Sequence, residues 1–109
     1  MMTLEEMKLA VCEKLPELIY YSDSFSGIDA WCWKMKGGTR CPIHWPTEGL
    51  QVCHEAEWQI IEQGLWSEYM VTIDNLFVPL SKSRGYQAHA TYEQRLEALC
   101  RVWFPERFQ

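Results

Sequence analysis

The residues with the most potential chemistry lie in "AWCWKMKGGTRCPIHW", residues 30–45, which holds three tryptophans, two cysteines, a histidine and a Gly-Gly pair flanked by cations. Cys41, His44, Cys53 and His54 together offer two thiols and two imidazoles, a donor set that zinc accepts. Their spacing works against a shared ion. In a strand, Cys41 and His44 point to opposite faces. On a helix, the neighbours Cys53 and His54 diverge by about 100°. The sequence therefore predicts free thiols and ordinary histidines, with no metal and no cofactor.

Nucleophilic catalysis needs a thiol or hydroxyl beside a base. Cys32 and His44 are the best pair on offer, meeting across the polar side of a hairpin. Cys12, Cys53 and Cys100 fall on apolar helix faces, where a thiol packs rather than reacts. No carboxylate pair has a diagnostic spacing, and neither a GxGxxG fingerprint nor a phosphate loop occurs. The expectation is a protein that is not an enzyme. The turn "KMKGGTR" does gather Lys34, Lys36 and Arg40 around Gly37 and Gly38, where amides and cations could hold a phosphate. With aromatics to stack a base, these five residues form a candidate site for sequestering a nucleotide immune signal.

Charge gives a third candidate. Between Arg40 and Lys82 there is no Lys or Arg, while Glu48, Glu55, Glu57, Glu62, Glu68 and Asp74 all fall there. The rest of the chain is nearly neutral, with ten basic and nine acidic residues. Duplex binding is disfavoured, because phosphate contacts need a basic footprint. A basic protein partner is allowed. Trp is a residue that carries interface energy, and six in this chain exceed what one small core requires. Glu55, Glu57, Trp58, Glu62, Trp66 and Glu68 are thus the candidate partner-binding set, an acidic aromatic surface suited to a basic groove such as that of a nucleic-acid-handling complex. An exposed Trp-rich face would also suit a homodimer.

These candidates need elements to position them. A chain of 109 residues, 48% hydrophobic and 23% charged, is the size and composition of one folded domain. The acidic N-terminus "MMTLEEMKLAVCEK" does not resemble a signal peptide, and no apolar run reaches membrane-span length. The expected setting is the cytoplasm, with thiols reduced and no membrane. Residues 3–15 predict a helix with Thr3 and Glu6 as a capping box and Pro16 as its stop. Residues 21–29 read as a polar loop. Trp31, Trp33 and Met35 alternate with polar neighbours, as do Cys41, Ile43 and Trp45. A three-residue loop, pairing Met35 with Cys41, Trp33 with Ile43 and Trp31 with Trp45, puts all six on one face. Residues 47–63 predict a helix capped by Gly64 and Leu65. Residues 66–74 read as a strand with Tyr69, Val71 and Ile73 on one side, residues 76–80 as its continuation or a new edge strand, and residues 86–90 as a short last strand. Thr91 to Phe104 predicts a closing helix with the stripe Tyr92, Leu96, Leu99, Cys100 and Trp103. The expected class is α+β: one domain, residues 1–109, with an antiparallel sheet of three to five strands packed between helices.

One arrangement carries a resemblance. A Trp-bearing strand leads into "WPTEGLQVCHEAEWQIIEQGLW", a helix ending in Gly followed by a Trp-led strand, and "AHATYEQRLEALCRVWF" follows later. This order, over residues 30–104, resembles the phage ABA sandwich family, small bacteriophage and prophage proteins with a sheet between helices. Ala90, Thr91, Ala98, Leu99, Cys100 and Arg101 stand where that family runs from its final strand into its last helix. The usual long charged turn is reduced here, and Thr91 and Ala98 are more widely spaced. The resemblance implies a phage origin and the host bacterial cytoplasm, and it brings no catalytic residues. Joined to the acidic aromatic surface, it leads to an expected function: binding and inhibiting a host defence protein, in the manner of an anti-CRISPR inhibitor.

Overall fold

The computed structural model describes residues 1–25, 27–34, 40–77 and 90–109. Helix α1 spans Leu4–Glu13; strands β1 (Leu18–Asp23), β2 (Ile28–Lys34) and β3 (Arg40–Pro42) follow; then come helices α2 (Trp45–Glu62), α3 (Trp66–Phe77) and α4 (Tyr92–Trp103), and a closing 3-10 turn at Pro105–Phe108. The class is α+β, with an antiparallel sheet in the order β1-β2-β3.

The capping box expected at Thr3 and Glu6 forms, and α4 starts on an equivalent one. Thr3 accepts from the Glu6 amide while the Glu6 carboxylate accepts from the Thr3 amide. Thr91 and Gln94 make the same reciprocal pair at the start of α4. Each pairing satisfies two amides that a helix start leaves without a partner. Helix α4 is the centre of the helical layer, with α1, α2 and α3 all packed against it. Its Leu96, Leu99 and Cys100 are fully buried with Val11 and Cys12 of α1, Val52, Cys53, Ala56 and Ile60 of α2, and Tyr69 and Ile73 of α3. Each fully buried Leu or Ile contributes about 1.5–3 kcal/mol of hydrophobic stabilisation.

Three expectations change. First, residues 66–74 are helical. Tyr69 and Ile73 satisfy a period of two, but with Leu65 they also satisfy i, i+4, i+8. Val71, expected to share their face, is 56% exposed. The β-branched and aromatic content favours a strand locally, but packing Tyr69 and Ile73 against α4 selects the helix. Second, residues 21–29 are a hairpin rather than a loop. β1 pairs with β2 from Leu18↔Trp33 to Asp23↔Ile28. The Asp23 side chain accepts from the Phe25 amide, its carbonyl accepts from Gly27, and Gly27 supplies a φ of +72°. Third, β2 and β3 pair Trp33 with Cys41 and Lys34 with Arg40, two residues away from the expected register. A two-residue slip keeps every side chain on its face. Trp31, Trp33 and Ile43 accordingly pack against the core, whereas Trp45, expected on the hairpin opposite Trp31, opens α2 and packs against the core from the helix. The expected strand at 76–80 begins inside α3, where Leu76 and Phe77 are helical, and Ala90, the end of the expected strand at 86–90, is not in a strand; residues 78–80 and 86–89 lie outside the described residues.

Candidate functional site

Helix α2 ends in a Schellman motif. The Leu65 amide donates to the Ile60 carbonyl and the Gly64 amide to Ile61, with Gly64 at φ +74°. The cap turns the chain sharply into α3 and sets Trp66 beside the last two turns of α2. His54, Glu57, Trp58, Ile61 and Trp66 line the resulting groove of about 210 Å³. Trp58 is 63% exposed, Ile61 45% and Trp66 40%. Glu55, Trp58 and Glu62 lie at i, i+3 and i+7, on one stripe of α2. Glu62 and Glu68 are exposed and Glu55 half-buried. The sequence-derived set is therefore brought together in part: Trp58 and Trp66 meet at one corner, and acids stand on the two helices that form it.

Glu57 is the exception. Expected as a surface acid, it is buried and joins three helices. One carboxylate oxygen accepts from the Tyr69 hydroxyl at 2.5 Å and from an Arg95 guanidinium N–H at 2.7 Å. Arg95 also donates to the Ala90 carbonyl at 3.0 Å. Burial, then the Glu57 charge, raises the Tyr69 hydroxyl well above its ordinary pKa, so it stays a donor. The other Glu57 oxygen lies 4.0 Å from His54 Nε2. Glu48 also has a structural role. It accepts from the Trp33 indole N–H at 2.7 Å and from the His44 amide at 2.9 Å, at the start of α2.

Sequence reasoning missed Arg95 and Tyr69 as partners of Glu57. An Arg on the apolar stripe of α4 was the available signal, since a cation there must find a buried anion.

The Cys and His residues disperse. Cys41 sits on β3, and His44 caps α2 with Nδ1 2.9 Å from the Thr47 hydroxyl. Cys53 is fully buried with Sγ 3.5 Å from the Tyr92 carbonyl, and His54 is exposed. Among the described residues, no group of three or more His, Cys, Asp or Glu could hold a metal ion. Cys32, expected on a polar face beside His44, is fully buried opposite Pro42. Burial pushes the thiols of Cys12 and Cys100 up to about 12 and that of Cys53 higher still, so none is a ready nucleophile.

Of the candidate ligand turn, Lys34 ends β2, exposed, and Arg40 begins β3 directly across from it. Lys36, Gly37 and Gly38 lie outside the described residues. No described helix is long and apolar enough to cross a membrane. The chain matches no protein-family model, no curated protein and no solved structure. Trp66, which heads a strand in the arrangement behind the phage-family resemblance, opens a helix here.

Proposed function

We propose that this chain is a non-enzymatic binding protein that docks a partner protein through the α2–α3 corner. With the setting drawn from the resemblance, the partner is a host defence protein in the bacterial cytoplasm and the chain is an anti-CRISPR-type inhibitor from a phage or prophage. The observation that carries this reading is the pair of exposed indoles, Trp58 and Trp66, on a groove whose floor reaches Glu57. Amphipathic aromatics at the centre of a patch, rimmed by charge, are the usual anchors of protein interfaces. Glu55, Glu62 and Glu68 supply an anionic rim, which suits a basic partner surface and speeds encounter with it. Glu57 supports the groove and does not belong to the reversible contact set.

The test is affinity capture of the tagged chain from nuclease-treated bacterial lysate. Wild type should retain a stoichiometric defence protein. Trp58→Ala, and separately the triple reversal Glu55→Lys, Glu62→Lys, Glu68→Lys, should lose it while keeping the wild-type circular dichroism. Retention by both variants overturns the assignment of this corner.

One observation favours a second reading, nucleotide sequestration. The register sets Lys34 across from Arg40, so two cationic residues flank the segment that holds Lys36, Gly37 and Gly38. That reading requires purified protein to release a 260 nm-absorbing ligand on heating, and Arg40→Glu to abolish uptake.

A further inference from the structure

A second cleft, of about 290 Å³, lies between α1 and the sheet and shares no lining residue with the α2–α3 corner. Its volume is at the small end for a ligand site. It contains two aromatic-plus-carboxylate units. In the first, Lys8 Nζ lies 5.3 Å from the centroid of the Trp45 ring and 3.0 Å from Glu5 Oε1. The Lys8 side chain is only 14% exposed. An exposed helix lysine ordinarily keeps its ammonium in water; this one rests on an indole face beside an anion. In the second unit, Tyr20 and Trp31 face each other across β1 and β2, rings edge to face with centroids 5.7 Å apart. The Tyr20 hydroxyl donates to the Asp29 carboxylate, which holds that anion beside the ring pair. Among the described residues, no Lys or Arg pairs with Asp29. Tyr20 is 49% exposed and Leu9, on the helix side of the cleft, 50%.

One half of the cleft thus holds the chain's own ammonium, and the other half repeats the same chemistry without one. We infer that the Tyr20–Trp31–Asp29 half is a binding site for the head of a small alkylated ammonium compound, a quaternary amine of about the size of choline. The ring face that the edge-to-face pair leaves open attracts the positive charge, and an alkylated head sheds its water there more readily than a smaller, strongly hydrated cation. Asp29 supplies the counter-charge. Lys8 stays on Trp45 and closes the far end, which limits the ligand to a single cationic head.

The test is a titration of the intact protein with choline chloride, followed through the indole N–H resonances. It runs against sodium chloride at equal ionic strength and against 3,3-dimethylbutan-1-ol, the uncharged carbon isostere. Choline should shift the Trp31 signal saturably, and the isostere should bind about tenfold more weakly. Asp29→Asn, which keeps an acceptor for the Tyr20 hydroxyl, should weaken choline by a similar factor without changing the fold. Equal affinity for choline and its isostere overturns the proposal, as does an unchanged affinity in Asp29→Asn or the lack of a saturable shift. Co-sedimentation with phosphatidylcholine vesicles supports a lipid headgroup as the source of the ammonium. Choline binding without co-sedimentation supports a free solute.

Discussion

Glu57 and Trp58 are neighbours in the chain and have opposite environments. Glu57 faces inward with Val52, Cys53, Ala56 and Ile60, and its carboxylate ties α2 to α3 and α4 through Tyr69 and Arg95. Trp58 faces outward, 63% exposed, beside Ile61 and Trp66. The polar residue is therefore the buried one, and the large apolar residue is in water. Hydrophobicity alone would place them the other way round. The inversion teaches that the acidic block has two jobs. Glu48 and Glu57 satisfy buried or capping donors and specify how the helices meet. Glu55, Glu62 and Glu68 remain at the surface, where they do little for stability and much for partner choice. Substitutions on the two faces should separate these jobs.

The largest effect is expected at Glu57. Glu57→Ala leaves Arg95 and Tyr69 buried without their acceptor, and removing one partner of a buried ion pair costs about 3–5 kcal/mol. Urea unfolding should show that loss. The triple variant Glu57→Leu, Arg95→Met, Tyr69→Phe removes both charges and the hydroxyl that Glu57 accepts from, and should recover most of it. A loss below about 1 kcal/mol for Glu57→Ala would mean that the inward carboxylate does not hold the helices together, and the contrast with Trp58 would fail.

The thiols of the same core give a pH signature. Burial holds Cys12 and Cys100 at about 12 in the folded chain, from an ordinary value of 9.0. An acid whose folded pKa is raised binds its proton more tightly in the native state. Its contribution is complete below about pH 9, and it is lost as pH rises from there towards 12. The slope is at most about 1.4 kcal/mol per pH unit for each thiol. Unfolding free energies measured from pH 8 to pH 11 should fall, and Cys12→Ala should flatten the fall. A slope unchanged in that variant would assign the loss to other groups.

Gly49, also on the inward face, should lose less. A Cβ there would lie 2.5 Å from Cγ of Tyr92, at the root of the ring rather than at a flexible tip. The ring stands against Trp45, with centroids 6.0 Å apart. Helix propensity favours Ala over Gly by about 1 kcal/mol, whereas overpacking costs about 1–3 kcal/mol. The expected net result for Gly49→Ala is a loss of about 1 kcal/mol, read from the denaturation midpoint. A gain would show that Tyr92 yields freely.

Much of this layout was legible in the sequence because it rests on local rules. Thr3 with Glu6, Thr91 at the start of α4, and Gly64 with Leu65 declare their caps by residue type alone. The α4 stripe declares its face by spacing. What was not legible depends on partners distant in sequence. Tyr69 and Ile73 are compatible with a strand until α4 is there to receive them. Trp33 pairs with Cys41 rather than Ile43, and because this two-residue shift leaves each side chain on its face, the alternation of apolar residues does not distinguish the two registers. Glu57 counts as a surface acid until Arg95, 38 residues on, reaches it. The candidate corner was legible as a set of residues, since Trp58 and Trp66 flank a visible helix cap. The removal of Glu57 from that set was not.

The smallest stability effect, and the most informative for function, is expected at Trp58. Among the described residues its indole N–H makes no hydrogen bond, unlike that of Trp33 on Glu48 or of Trp103 on Gln63. Most of its surface is already in water, so Trp58→Ala gives up little burial on folding. An exposed substitution of this kind should change the unfolding free energy by no more than about 0.5 kcal/mol. Truncation of an interface anchor costs about 2 kcal/mol or more of binding, roughly a 30-fold weaker complex. A stability loss of several kcal/mol would instead make Trp58 a core residue like Ile60, and the outward face of α2 would cease to be a separate region. Wild-type stability with lost capture keeps the two faces distinct: one carboxylate that folds the protein, and beside it one indole that the fold leaves free to meet a partner.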